Sequence, residues 1–447
     1  MKTEKQMALA LQMVSGYGGE FSAWRMPGTD PAAYTNTDSY VERAKLAEKG
    51  KFQMIFIADT PVLNNDLGLQ TPSFPMDPML ALMAVARETK RIGLVATLST
   101  TFNYPYNIAR QFKALDVISH GRAGWNAVTT SDPAAAANFG AQVASRKERY
   151  DMAHESIQIV QALWGSWEQD AWTLDVEGGK FADMDKIKPI NLQGQYYASR
   201  GPLPIPPSEQ GQPVIFQAGG GEKGLELAGS YASGVYANPY DIESARLHRE
   251  MIRQSAVRYG RNPDDIKMYA GFMFSLASTE EEALERRRQL MSFNPDEIPS
   301  RVSYLGSMVG LHLSVNSVDI DQPLATDLLK RAYPSPQDPR SAIALKLLKQ
   351  GLSVRDVLAH GVINYHPVVA GTAVQVADFL EEWFLAGACD GFSIVPDIAH
   401  DGVADFVEQV VPILQERGLF HKEYEGETLR EHMGVPYQYG RTGIENQ

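Results

Sequence analysis

The chain has 447 residues, is 44% hydrophobic and 21% charged, and carries a net charge of −13 at neutral pH. Those proportions fit a folded globular protein long enough for a large core or an α/β barrel with insertions. The negative field opposes a phosphate backbone, which excludes nucleic-acid binding as the main role, and the lone Cys389 excludes an intrachain disulfide.

The opening MKTEKQMALALQMV has the lysines and the short apolar run of a secretion signal, but Glu4 and Gln12 interrupt it. No small-residue cleavage site closes it either, so a buried first strand over Met7–Val14 is the expectation. No segment approaches the ~20 apolar residues that span a bilayer. A cytoplasmic location is expected.

Strand and helix patterns then alternate. A helix is predicted over Ser39–Lys49, a strand over Phe52–Ala58, and a helix over Asp77–Thr89 that opens with Asp-Pro, a cap followed by a first-turn proline. A strand follows at Ile92–Leu98, a helix at Ile108–Ser119 and a strand at Ala123–Val128. In Arg146–Trp164, Tyr150, Ala153, Ile157, Val160 and Trp164 fall at helical spacing on one face. Further strands are predicted at Val214–Ala218, Gly234–Ala237, Met268–Leu276 and Phe392–Val395, with late helices at Val374–Ala386 and Val403–Arg417. The strands are continuous apolar runs, the mark of a parallel sheet buried on both faces. Eight of them, alternating with helices, predict an α/β fold of the TIM type, a closed (β/α)8 barrel.

One domain over 1–447 is expected, with insertions at about 165–212 and 288–372. Both are rich in aromatic residues or Leu, unlike plain disorder, and are read as covers over the barrel mouth. The other reading is peripheral decoration or an oligomer contact.

Barrel sites lie at the C-terminal strand ends, which singles out a few residues. Asp59 ends the second strand, where a carboxylate either caps the DTPVLNND loop or faces a ligand. Asn126, Thr129 and Thr130 end the fourth, where amide and hydroxyl groups either read a heteroaromatic edge or shape the turn before Asp132-Pro133. Gln217-Ala218-Gly219-Gly220-Gly221 joins a strand to a helix, as a phosphate cradle or a tight turn. Arg149 and Tyr150, near a helix start, could both reach a phosphate, or could divide between solvent and core. The histidines show no metal-ligand spacing. No Gly-x-Gly-x-x-Gly follows a first strand, which argues against a nicotinamide domain.

The run LSTTFNYPYNIARQFKALDVISHGRAGWNAVTTSDPAAAANFG, Leu98–Gly140, resembles the signature of bacterial-luciferase-like flavin monooxygenases. Within them it is similar to the subgroup of nitrilotriacetate, dibenzothiophene-sulfone, long-chain-alkane and pristinamycin monooxygenases. Ala23-Trp24-Arg25, FIAD ending at Asp59, ERYDMAHE at Glu148–Glu155, QAGGGEKG at Gln217–Gly224, and GTAVQVADFL…CDGFSIV within Gly371–Val395 extend the likeness along the chain.

The resemblance implies a barrel oxygenase that receives reduced FMN from a separate NAD(P)H:flavin reductase. It implies that FMN and O2 form a flavin peroxide that oxygenates a small organic substrate. It places Ser15, Asp59 and Thr97 along the flavin, and Asn126 and Thr129 at its ring or the peroxide. It places Tyr150, Ala218 and the Gly219–Gly221 turn at the phosphate, with Arg149 nearby. Catalytic roles are expected for Asn126, Thr129 and His312. A homodimer or homotetramer is also implied. Three positions depart from the family pattern. Gln53 stands where Asp is usual, Gly221 where Ser is frequent, and His312 where many relatives carry Asp. His312 would face the substrate or cap a loop. Two other readings use the same scaffold: a deazaflavin-dependent oxidoreductase and a non-catalytic flavin-binding protein.

Overall fold

The structure is a computed structural model that describes residues 5–440 except 65, 69 and 75. The first four residues of the amino-terminal run fall outside it. Eight parallel strands form the frame: β1 Ala8–Gln12, β2 Met54–Ile57, β3 Gly93–Ser99, β4 Ala123–Val128, β5 Val214–Ala218, β6 Gly234–Ala237, β7 Lys267–Leu276 and β8 Gly391–Pro396. Each pairs with the next, and β8 returns to β1, so the sheet closes into the expected barrel. Every strand named in the sequence is present, with ends shifted by up to two residues.

Side-chain alternation explains why these strands must be apolar throughout. Residues of one parity, such as Leu9, Leu11, Ile55, Ile57 and Leu94, pack outward against the helices in the main core. Residues of the other parity, Ala10, Met54, Phe56, Val95, Val214, Phe216 and Tyr269, fill the barrel interior. Each large apolar side chain buried this way contributes ~1.5–3 kcal/mol. The same interior cluster includes Leu429 and Met433 of the short helix Leu429–Met433. Leu429 donates its N–H to Gly121 O, beside the start of β4. This helix seals the N-terminal end, so a ligand enters from the C-terminal end.

The helices follow their local signals. Asp77 accepts from Leu80 N and caps Pro78–Glu88, and Ser145 caps Arg146–Trp164. The predicted helix Val403–Arg417 is broken into Ala399–Asp405, a π turn over Phe406–Val410, and Val411–Glu416. Pro412 lacks an N–H and its ring collides with the preceding turn, which forces the wider turn.

The two insertions do different work. Residues 165–212 run along the outside, where a short antiparallel pair, Leu192–Gln193 and Ala198–Ser199, is joined by a turn held by the Glu155 carboxylate. This segment reaches the sealed end, where Ser208 and Gln210 bond Asp116. None of its residues lines the mouth. Residues 288–372 do cover the mouth. They carry helices Ile298–Met308, Arg340–Lys349 and Val354–Ala359 around their own core of Val302, Leu305, Leu348 and Val357. This segment also supplies a ninth strand, Val368–Gly371, which pairs with the far end of β7. That strand was not foreseen; four residues after a proline carry little periodic signal.

Candidate functional site

A cavity of about 720 Å³ opens at the C-terminal end of the barrel. Its floor follows from strand parity. Counting in twos from the interior residues Ala10, Val95, Val214 and Tyr269 reaches Gln12, Thr97, Ala218 and Met273, all of which line it. Asn126, Tyr236 and Val395 join them from β4, β6 and β8. Its walls come from the loop after β1, the loop after β2, and the second insertion.

The predicted residues largely converge here. Ser15, Asp59, Thr97, Asn126, Thr129 and Ala218 all line the cavity. Ser15 is buried, and its hydroxyl is engaged in its own turn, donating to Gly18 O and accepting from Tyr17 N. Asn126 Nδ2 donates to Thr97 Oγ1 at 2.9 Å, while its Oδ1 is buried without a partner. A buried acceptor left in that state costs about 1–3 kcal/mol; a ligand N–H would relieve it.

A second pocket of about 190 Å³ adjoins this floor, sharing Val128, Thr129, Ser131 and Ala218. Arg146, Arg149, Tyr150 and Gln217 complete most of its wall, and no carboxylate of the described residues lines it. Arg149 Nε and Gln217 Oε1 are buried without partners. The helix Arg146–Trp164 begins here, so its positive end adds to the two guanidinium groups. The pocket suits a small dianion.

The glycine turn divides between two places. An added Cβ on Gly221 would lie 2.5 Å from Arg146 Nη2, so Gly221 sits against the arginine pocket. Gly219 and Gly220 line a different chamber of about 550 Å³, with Tyr240 and His248. Only Gly219, at φ +128°, needs glycine for its backbone. His312 is exposed between the buried Leu311 and Leu313 and is not among the cavity residues. The structure does not bring it to the mouth.

Sequence reasoning missed several residues. Arg146 lay one turn from Arg149 and could have been named with it. Tyr236 was reachable by parity. His366 arrives from the non-helical end of the second insertion, where no periodic pattern marks it. Its Nδ1 lies 2.9 Å from Asn238 Oδ1, and burial pulls its pKa down to about 4, so the ring is neutral at physiological pH. Glu20 ties the β1 loop to the cover, accepting from Arg287 Nη2 at 3.0 Å and Asn364 Nδ2 at 2.8 Å.

Asp59 is pushed up to about 6, first by burial and then by the nearby Asp77 carboxylate. The folded chain therefore keeps this proton in a range where the unfolded chain has lost it. Stability falls as pH rises between the ordinary carboxylate value and about 6. In the flavin-free protein, Asp59→Asn is expected to unfold like the wild type at pH 4 and to gain ~1–3 kcal/mol at pH 8. Urea titrations at the two pH values check this; an equal change at both would remove the ionisation from the account.

Comparison with known proteins agrees with this architecture. The luciferase-like monooxygenase family model matches residues 19–321. N-acetyl-S-(2-succino)cysteine monooxygenase of Bacillus subtilis (strain 168) is 37% identical, over 97% of both chains. Nitrilotriacetate monooxygenase component A of Aminobacter aminovorans is 35% identical, over 97% of this chain and 98% of that one. The solved EDTA monooxygenase from Chelativorans sp. BNC1 superposes with a TM-score of 0.81 at 31% identity, covering 97% of this chain and 99% of that one. With its barrel, its polar mouth and matches that run nearly end to end, this chain belongs to the luciferase-like monooxygenase family.

Proposed function

We propose that this chain is the oxygenase component of a two-component system. It takes reduced FMN from a separate NAD(P)H:flavin reductase and uses it with O2 to oxygenate a small organic substrate. The observation that carries this reading is the arginine pocket joined to a barrel mouth that is polar at its floor and apolar above. The unpartnered Arg149 Nε suits a phosphate oxygen and the unpartnered Asn126 Oδ1 suits a ring N–H, and FMN carries both groups.

When bound in its reduced form, FMN supplies the electrons that activate oxygen. The chain's own groups do the rest. Arg146, Arg149 and Tyr150, with Ala218 and Gly221, hold the phosphate, and Gly219 and Gly220 face the neighbouring chamber instead. Thr97, Asn126 and Thr129 fix the ring edge, and Ser15 and Asp59 border it. The cover over 288–372 keeps water from the reacting face. His312 is left outside the working set. One barrel unit with two insertions, working in the cytoplasm, is the proposed setting; no described helix is long and apolar enough to cross a membrane.

The test is a mixture of the protein with NADH, FMN and air. NADH oxidation is expected to stay at the flavin background until a helper reductase is added. Photochemically reduced FMN is expected to bind anaerobically without any reductase. NADH oxidation by this chain alone would overturn the two-component reading.

A homodimer or homotetramer is also proposed. The first insertion supports it by holding Trp172, Val176, Phe181 and Met184 exposed along one short stretch, an apolar surface of the kind that pairs copies. Light scattering at micromolar concentration is expected to give two or four chain masses. Phe181→Asp with Val176→Asp is expected to lower that mass, and a single chain mass for the wild type would reject the proposal.

A further inference from the structure

Among the described residues, the mouth presents no free cation. Glu20, Asp59, Asp132 and Arg301 are the side chains there that carry charge, and His366 is neutral. Arg301 points both Nε and Nη2 at Glu297 Oε2, at 3.2 and 2.8 Å. That carboxylate lies one helical turn away and cancels its charge. Glu20 is paired with Arg287. Asp132 caps a helix through Ala134 N and Ala135 N and accepts from Asn64. No lysine among the described residues lines the cavity. The space above the floor is bounded instead by Phe21, Phe74 and Ile363, and Met273 and Val395 add apolar surface to the floor itself.

A carboxylate entering this space would shed water and find no cation to receive it, a loss that an isolated buried charge does not recover. It would also face three carboxylates and the phosphate of the flavin. An uncharged apolar molecule meets neither cost and gains from burial against the aromatic walls. We propose that the mouth selects an uncharged, mainly apolar organic substrate and rejects carboxylates. This rests on the reading of the mouth as the reaction site. It separates this chain from two relatives named for acids, nitrilotriacetate and N-acetyl-S-(2-succino)cysteine, although both match it nearly end to end.

The experiment uses one skeleton in two charge states. Methyl 2-naphthoate and 2-naphthoate are titrated by calorimetry into the FMN-loaded protein at pH 7.5, and in parallel into the flavin-free protein with inorganic phosphate present to fill the arginine pocket. The ester is expected to bind at least tenfold more tightly in both. Glu297→Gln, which releases Arg301, is expected to improve binding of the acid at least fivefold and to leave the ester within twofold. Equal or tighter binding of the acid by the wild type would overturn the proposal. So would failure of both probes to bind, or a Glu297→Gln protein whose affinity for the acid does not move. Failure of the FMN reading shows itself separately, as a protein that does not load flavin yet still discriminates between the probes.

Discussion

Arg149→Ala is expected to weaken FMN binding by about tenfold or more, and the double change with Arg146→Ala by about a hundredfold or more. A hydrogen bond to a charged group contributes about 1.5–3 kcal/mol, and each 1.4 kcal/mol is a factor of about ten in affinity. Arg149 holds its position through Nη1, which donates to Ala144 O at 3.2 Å, and that leaves Nε buried and free for an anion. Arg146 comes from the exposed side of the same first turn and rests against Gly221. Riboflavin has the ring without the phosphate, so it is the control. Its affinity is expected to stay within twofold in both variants. Fluorescence titration with FMN and riboflavin measures this, and equal losses for the two ligands would move the phosphate elsewhere. If Arg149 were only a surface residue of its helix, neither ligand would respond.

The second large effect is expected at Asn126. Asn126→Leu keeps the approximate volume and removes the buried, unpartnered Oδ1. Removing an unsatisfied polar atom costs the fold little, although Thr97 loses its 2.9 Å partner. Stability is therefore expected to stay within ~1 kcal/mol. Function is expected to respond much more. A polar group aimed at the reacting centre commonly contributes ~2.7–4 kcal/mol, or about 10²–10³ in rate. Product formed per reduced FMN consumed is expected to fall at least tenfold, with hydrogen peroxide rising in its place. Single-turnover mixing of protein and reduced FMN with an air-saturated substrate solution measures both yields, and a melting curve on the same variant measures the fold. A variant that loses stability but couples normally would make Asn126 a structural residue. Thr129→Val is expected to act in both ways at once, since Thr129 borders the cavity and the arginine pocket.

The sequence by itself determined the barrel. Eight apolar runs separated by capped helices admit few other folds, because strands buried on both faces need a closed or doubly covered sheet. It also determined which strand ends carry polar side chains. Thr97 and Asn126 keep the parity of Val95 and Gly124, so alternation alone turns them inward once the sheet closes.

What only the tertiary structure decided lies in segments without a period. Residues 288–372 and 165–212 both read as long insertions after a barrel helix, yet the first covers the mouth and the second runs to the sealed end. Nothing in a loop's own sequence fixes where it docks; the surface it meets does. The same holds for pairing. Glu297 four residues before Arg301 reads as an ordinary helical ion pair, and only the closed barrel shows that it removes the cation that lines the mouth. The glycine turn reads as one cradle along the chain, but its tight path sends Gly221 toward Arg146 and Gly219 and Gly220 toward His248. Chain order sets which residues are neighbours along a turn; the direction each one faces is set by what packs around it.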